Sequence, residues 1–178
     1  NLGLIERELD RLRPSLSYFS LANQLFSSCD NIEGVSITYN NLGKSYRILQ
    51  KLDSAFYYYQ KSLLLAYQMN SRKQLASTFI YLSDYYFEIQ QLDSARIIGE
   101  RALKLSKSIG RVDFVKNGSE LLHRIYKATH NNELALNMSY TDRFRLFYRD
   151  YFDFVTYYGA AAGNVNTHIC VGGTFKLG

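Results

Sequence analysis

The chain of 178 residues is 47% hydrophobic with a single proline, a composition that supports a packed core and excludes a disordered or linker-like chain. Its formal charge of +5 is spread among interleaved acids, without the dense basic run that nucleic-acid binders carry. No apolar run is long enough to span a membrane, and the lone residues Cys29 and Cys170 have neither metal nor redox spacing.

From its first residues the chain repeats every forty positions. Asn1-Leu2-Gly3 returns as Asn41-Leu42-Gly43, and Leu82 and Leu122 continue the leucine column. Gly3, Gly43, Ser83 and His123 form the next column, and Ser15, Ala55, Ala95 and Ala135 another. A fixed period of this size marks stacked supersecondary units rather than one closed core. The units span about 1–33, 34–73, 74–111 and 112–150, each reading as a helix A followed by a helix B.

The first unit is shortened at its front, and Pro14 aligns with Ser54 and Ser94 in the first turn of helix B, where proline costs little. In the second unit helix A is predicted over 35–49, with Leu42 and Tyr46 on one face. Helix B opens at Asp53-Ser54, which suit free backbone N–H groups and the helix dipole. It continues to Met69 and is closed by Asn70-Ser71. The third unit places helix A over 74–89 and helix B over 93–109, with Gly110 as a stop. The fourth has helix A over 112–129, a polar break at His130-Asn131-Asn132, and helix B from Glu133 to Tyr148. Beyond 150 the repeat ends in a Gly-rich tail, residues 151–178. There a prolonged last helix over 151–158, a short strand near 167–171, a loose segment and self-occupancy of a groove all stay open.

No catalytic set converges. His123 and His130 are seven apart, a spacing that puts them on a similar helix face but about 10.5 Å of rise from each other, too far for one metal ion. His123 stands in a glycine column and is expected in packing. His168 and Cys170 have no third ligand nearby, and no phosphate-cradling glycine motif is present. No cofactor and no metal is expected, and the chain reads as a non-enzyme. The many tyrosines and phenylalanines, such as Tyr57-Tyr58-Tyr59 and Tyr85-Tyr86-Phe87, read as packing residues.

The run Leu42-Gly43, Tyr46, Ala55, Tyr59, Ser62 resembles the tetratricopeptide repeat. So do Leu82-Ser83, Tyr86, Ala95, Gly99, Ala102 and Leu122-His123, Tyr126, Ala135, Ser139, with departures at Gly99 and His123. The family's basic period is about 34 residues, so this chain looks like a longer variant, as in kinesin light chains, peptide-responsive bacterial regulators and sensor-type regulators of Bacteroidota. The Leu-Asp-Ser-Ala start of helix B, at 52–55 and 92–95, looks most like the last group.

The resemblance implies an all-α, right-handed α-solenoid of antiparallel helix pairs whose A helices line a concave peptide groove. Carried over column by column, the groove positions are Asn40, Asn41, Lys44, Arg47 and Ile48, then Ser77, Ile80, Tyr81, Asp84, Phe87 and Glu88. The fourth unit adds Asn117, Glu120, Leu121, Arg124, Lys127 and Ala128. Asn41 matches an asparagine that some members use to hold a peptide backbone, and Lys44, Arg47, Arg124 and Lys127 suit carboxylates. Ile37 and Tyr81 stand where a carboxylate clamp for C-terminal peptides needs a base and an asparagine, so that clamp is not supported.

The function expected is a non-catalytic scaffold binding a protein or peptide. Alternatives are a sensor or dimerisation region of a larger bacterial signalling or transcription regulator, and nucleic-acid binding through the weakly basic surface. The last requires Lys44, Arg47, Arg124 and Lys127 to form one continuous strip with steep salt dependence. Self-association is open, nucleic acid is disfavoured, and the compartment is left open between cytoplasm and periplasm.

Overall fold

A computed structural model describes Leu4, residues 12–131 and residues 134–135. These residues form six α-helices of 17 residues each and, among the described residues, no strand. They are α1 Leu12–Ser28, α2 Ile32–Ile48, α3 Leu52–Gln68, α4 Arg72–Glu88, α5 Leu92–Ser108 and α6 Val112–Ala128. All lie within one compact unit, Asn1–Arg143. The expectations for the tail, and all but two residues of the last helix B, fall outside the described residues. Leu134 and Ala135 are helical.

What fixes the period is the link. A residue with positive φ follows each helix: Asp30, Gln50, Asn70, Gln90, Gly110 and His130, with φ between 48° and 68°. The next residue's N–H then reaches back across the helix end, as in Lys51 N to Tyr46 O at 2.9 Å and Gln91 N to Tyr86 O at 2.9 Å. This left-handed closure satisfies carbonyls that the helix would otherwise leave bare. Only Gly110 adopts it without a steric cost.

Two predicted boundaries move for a capping reason. Helix A begins at Ile32 and Arg72, not at Val35 and Gln74, because Asn31 and Ser71 supply the caps. Asn31 Oδ1 accepts from Gly34 N at 2.8 Å and Ser71 Oγ from Gln74 N at 3.3 Å. Ser71 therefore opens α4 instead of closing α3. Helix α3 begins at Leu52 without a side-chain cap, so Asp53 acts on the helix dipole from inside the first turn.

Consecutive helices pack on one another, and A helices also touch the next A helix: α2 meets α4, and α4 meets α6. The B helices are not in comparable contact. Closer approach on one side makes the A side the inner face of the stack.

Between helices, small and large side chains alternate in compensating pairs. A Cβ at Gly43 would lie 2.5 Å from the Tyr59 ring, and Tyr59 is 0% exposed. In the next unit the sizes swap: Gly99 faces Ser83, and a Cβ there would meet Ser83 Oγ at 2.8 Å and Leu122 at 3.0 Å. Ser83 Oγ donates to Ala95 O at 2.7 Å. His123, one unit on, makes the same cross-helix bond from Nδ1 to Ala135 O at 2.8 Å. The apparent departures at Gly99 and His123 are thus part of the packing. A buried hydroxyl seam completes the interior, with Ser62 Oγ 2.9 Å from Ser36 Oγ and 3.0 Å from Thr78 Oγ1.

Candidate functional site

The inner face is built by α2, α4 and α6. A depression of about 290 Å³ opens on it, with Lys44 from α2, Ser77, Ile80, Tyr81 and Asp84 from α4, and Phe114, Asn117, Glu120, Leu121 and Arg124 from α6. Positions 114, 117, 121 and 124 are spaced by three and four, which puts them in one stripe along a helix. The forty-residue period repeats that stripe on each A helix.

An ion ladder crosses the three helices beside this depression. Arg47 bonds Asp84 Oδ2 at 2.7 Å and also pairs with Glu88. Asp84 Oδ1 receives Arg124 at 3.3 Å, and Gln50 Nε2 donates to Glu88 at 2.8 Å. The Arg124 guanidinium lies 4.8 Å from the centre of the Phe87 ring. Burial weakens the Arg47 cation, but Asp84 and Glu88 outweigh it and raise its pKa above the ordinary value. Behind Arg47, the buried Tyr59 hydroxyl and Arg47 Nε have no hydrogen-bond partner among the described residues. Burial pushes the Tyr59 phenol well above its usual pKa, against the pull of Arg47.

The sequence-derived positions divide accordingly. Lys44, Tyr81, Asp84, Asn117 and Arg124 meet around the depression, whereas Arg47 and Glu88 continue the ladder at its edge and Phe87 lies against Arg124. Asn40 and Asn41, expected on the groove surface, are buried at 3% and 7% exposure. Asn40 Nδ2 donates to Thr78 Oγ1 at 3.0 Å, and Asn41 Nδ2 to Ile37 O at 3.1 Å. Neither amide group stands open to a ligand as the column comparison implied. Lys127 and Ala128 are exposed at the end of α6, away from the depression, and Ile48 is exposed at the end of α2.

Among the described residues no three His, Cys, Asp or Glu side chains come together as a metal site, and no helix is long and apolar enough to cross a membrane. Residues 34–108, which cover nearly all of α2 and the whole of α3 to α5, match the family model described as tetratricopeptide repeat. This segment is a tetratricopeptide repeat array. The match names no subfamily and gives the Bacteroidota-type assignment no support. No curated protein matches the chain. Among solved structures, the crystal structure of BtubC (BKLC) from P. vanneervenii is similar at a TM-score of 0.66 and 19% identity, covering 99% of this chain and 68% of that one. At that identity the likeness speaks for the fold.

Tetratricopeptide repeats are non-catalytic and serve generally as protein-interaction scaffolds, and their contacts come from the exposed face of the stack. In this array Asp84 and Glu88 interrupt the basic positions Arg47 and Arg124, so the continuous positive strip required for nucleic acid is absent there. Phe114 is the lining residue that column comparison passed over. Its column holds Gly34 and Gln74, which conceals it, but its three-residue step to Asn117 on one stripe was a usable signal.

Proposed function

We propose that the chain is a non-catalytic scaffold that holds a protein or peptide segment along the inner face of α2, α4 and α6. The observation that carries this reading is the depression of about 290 Å³ shared by three successive A helices. Its lining is mostly polar, with Lys44, Ser77, Asp84, Asn117, Glu120 and Arg124 beside Ile80, Tyr81, Phe114 and Leu121, so polar groups are at hand to fix a bound segment's orientation. At that volume it falls just under the range of about 300–1,000 Å³ typical of small-molecule sites, and suits one or two side chains of a longer ligand. Many modest contacts along the stripe then add to a usable affinity.

The test is to fill the depression. Asn117 is exposed, so Asn117→Trp adds bulk at its mouth without touching the core. Peptides that bind the parent chain are expected to weaken about tenfold or more, roughly 1.4 kcal/mol, with helicity unchanged by circular dichroism. Undiminished binding by the variant would place the ligand elsewhere.

A further inference from the structure

Each basic side chain lining the depression is engaged within the chain. Arg124 holds Asp84 and covers Phe87, and Lys44 has an intramolecular interaction of its own. Asp84 is shared between Arg47 and Arg124. The ladder of Arg47, Asp84, Glu88 and Arg124 is therefore internally neutral. Glu120 differs. It is exposed, it lines the depression, and among the described residues it makes neither a hydrogen bond nor an ion pair. Its natural helical neighbour at the following turn, Arg124, is turned to Asp84 instead.

Ser77 and Asn117, also lining and also without such partners among the described residues, offer a hydroxyl and an amide to a passing backbone. Ile80, Leu121 and Phe114 supply apolar wall. An aliphatic stem that ends in a positive charge matches this arrangement: the stem lies on the wall and the cation meets the lining carboxylate that no other described residue neutralises. We propose that the depression selects an arginine or lysine side chain of the bound peptide, with Glu120 as its counter-ion. This rests on the groove reading above. A glutamate or aspartate anchor would have to displace Asp84 from Arg124, losing one ion pair to gain another.

The probe is a set of short peptides, acetylated and amidated, on one Ser/Leu background with arginine, lysine, norleucine or glutamate at the central position. Affinities are read by fluorescence anisotropy with the full chain, Glu120→Lys and Asn117→Trp. Arginine and lysine are expected to bind about fivefold more tightly than norleucine, the upper end for an exposed ion pair, with glutamate weakest. Glu120→Lys should invert that order. An unchanged order in Glu120→Lys, or a preference of the parent chain for glutamate, overturns the anchor. If Asn117→Trp abolishes binding of every peptide while Glu120→Lys changes nothing, the groove stands and the anchor falls. If Asn117→Trp leaves binding intact, or no peptide binds at all, both fall.

Discussion

Replacing Gly43 by alanine tests the packing between helices A and B most directly. Two effects oppose each other. Alanine in a helix interior is favoured over glycine by about 1 kcal/mol. Against this, the new methyl group would sit 2.5 Å from a Tyr59 ring carbon, far inside a normal contact of about 3.5–4.0 Å. The ring has nowhere to go: Tyr59 is fully buried, stacked on Tyr81 at 5.8 Å and edge-on to Tyr85 at 6.3 Å. Overpacking of this kind costs about 1–3 kcal/mol, and an immovable neighbour places it near the top of that range. Gly43→Ala should therefore lose a net of about 1–2 kcal/mol. In a Tyr59→Leu background most of the clashing ring is gone, and the same change should gain up to about 1 kcal/mol. The difference, a coupling of about 2–3 kcal/mol, is read from urea unfolding of the four chains by circular dichroism. A neutral or stabilising Gly43→Ala in the parent chain would refute the account of why this column is small.

The helix links make a paired prediction. Gly110→Ala should cost about 1 kcal/mol through its φ of 68° alone, since nothing lies within 4 Å of the new methyl. Gln90→Gly at φ 61° should gain somewhat less, about 0.5 kcal/mol, because glycine also loosens the unfolded chain; thermal melts decide both. Arg47→Ala should lose about 1–3 kcal/mol, because it strips two half-buried carboxylates of their cation. Much of that loss should vanish in an Asp84→Ala/Glu88→Ala background. For pH, burial and the hydrogen bond to Glu100 raise the Tyr126 phenol to about 12. The unfolded phenol ionises near its ordinary value of about 10. The Tyr126 contribution is therefore complete below that value and is lost as pH climbs toward 12. Tyr126→Phe should flatten the stability profile across that window, as followed by denaturant midpoints at stepped pH.

Helix order and spacing were legible because the leucine, glycine and alanine columns recur every forty residues, with Pro14 in the first turn of a helix B and Gly110 at a helix end agreeing with that phase. The links themselves were not legible residue by residue. Five of the six left-handed positions hold Asp, Gln, Asn or His, which advertise a turn far less than glycine does. Boundaries slipped where one polar residue suits either neighbouring helix: Ser71 ends α3 in sequence but bonds forward to Gln74. Gly99 and His123 looked like lapses when each column was read alone. Their sense appears only across columns, where Gly43 with Tyr59 exchanges for Ser83 with Gly99.

For the inner face, periodicity identified which helix turns lie there but not which side chains remain open on it. Asn40 shows the limit. Its position follows the groove columns, yet the hydroxyl seam contributed by Thr78, thirty-eight residues later, draws its amide inward. Arg47 shows the same limit in charge. Sequence alone presents it as a base ready for a ligand's carboxylate, while its carboxylates come from the next repeat, Asp84 and Glu88. A repeat period near forty brings such residues together on adjacent A helices, so each unit tends to neutralise the one before it. Lys73 with Glu33 does likewise at the other end of these helices, at 2.8 Å. What a stack leaves for a ligand is then the middle of the face, and above all those charges the period fails to pair. Glu120 falls in the column of Ile80 and Asn40, where the preceding helices carry no base to meet it.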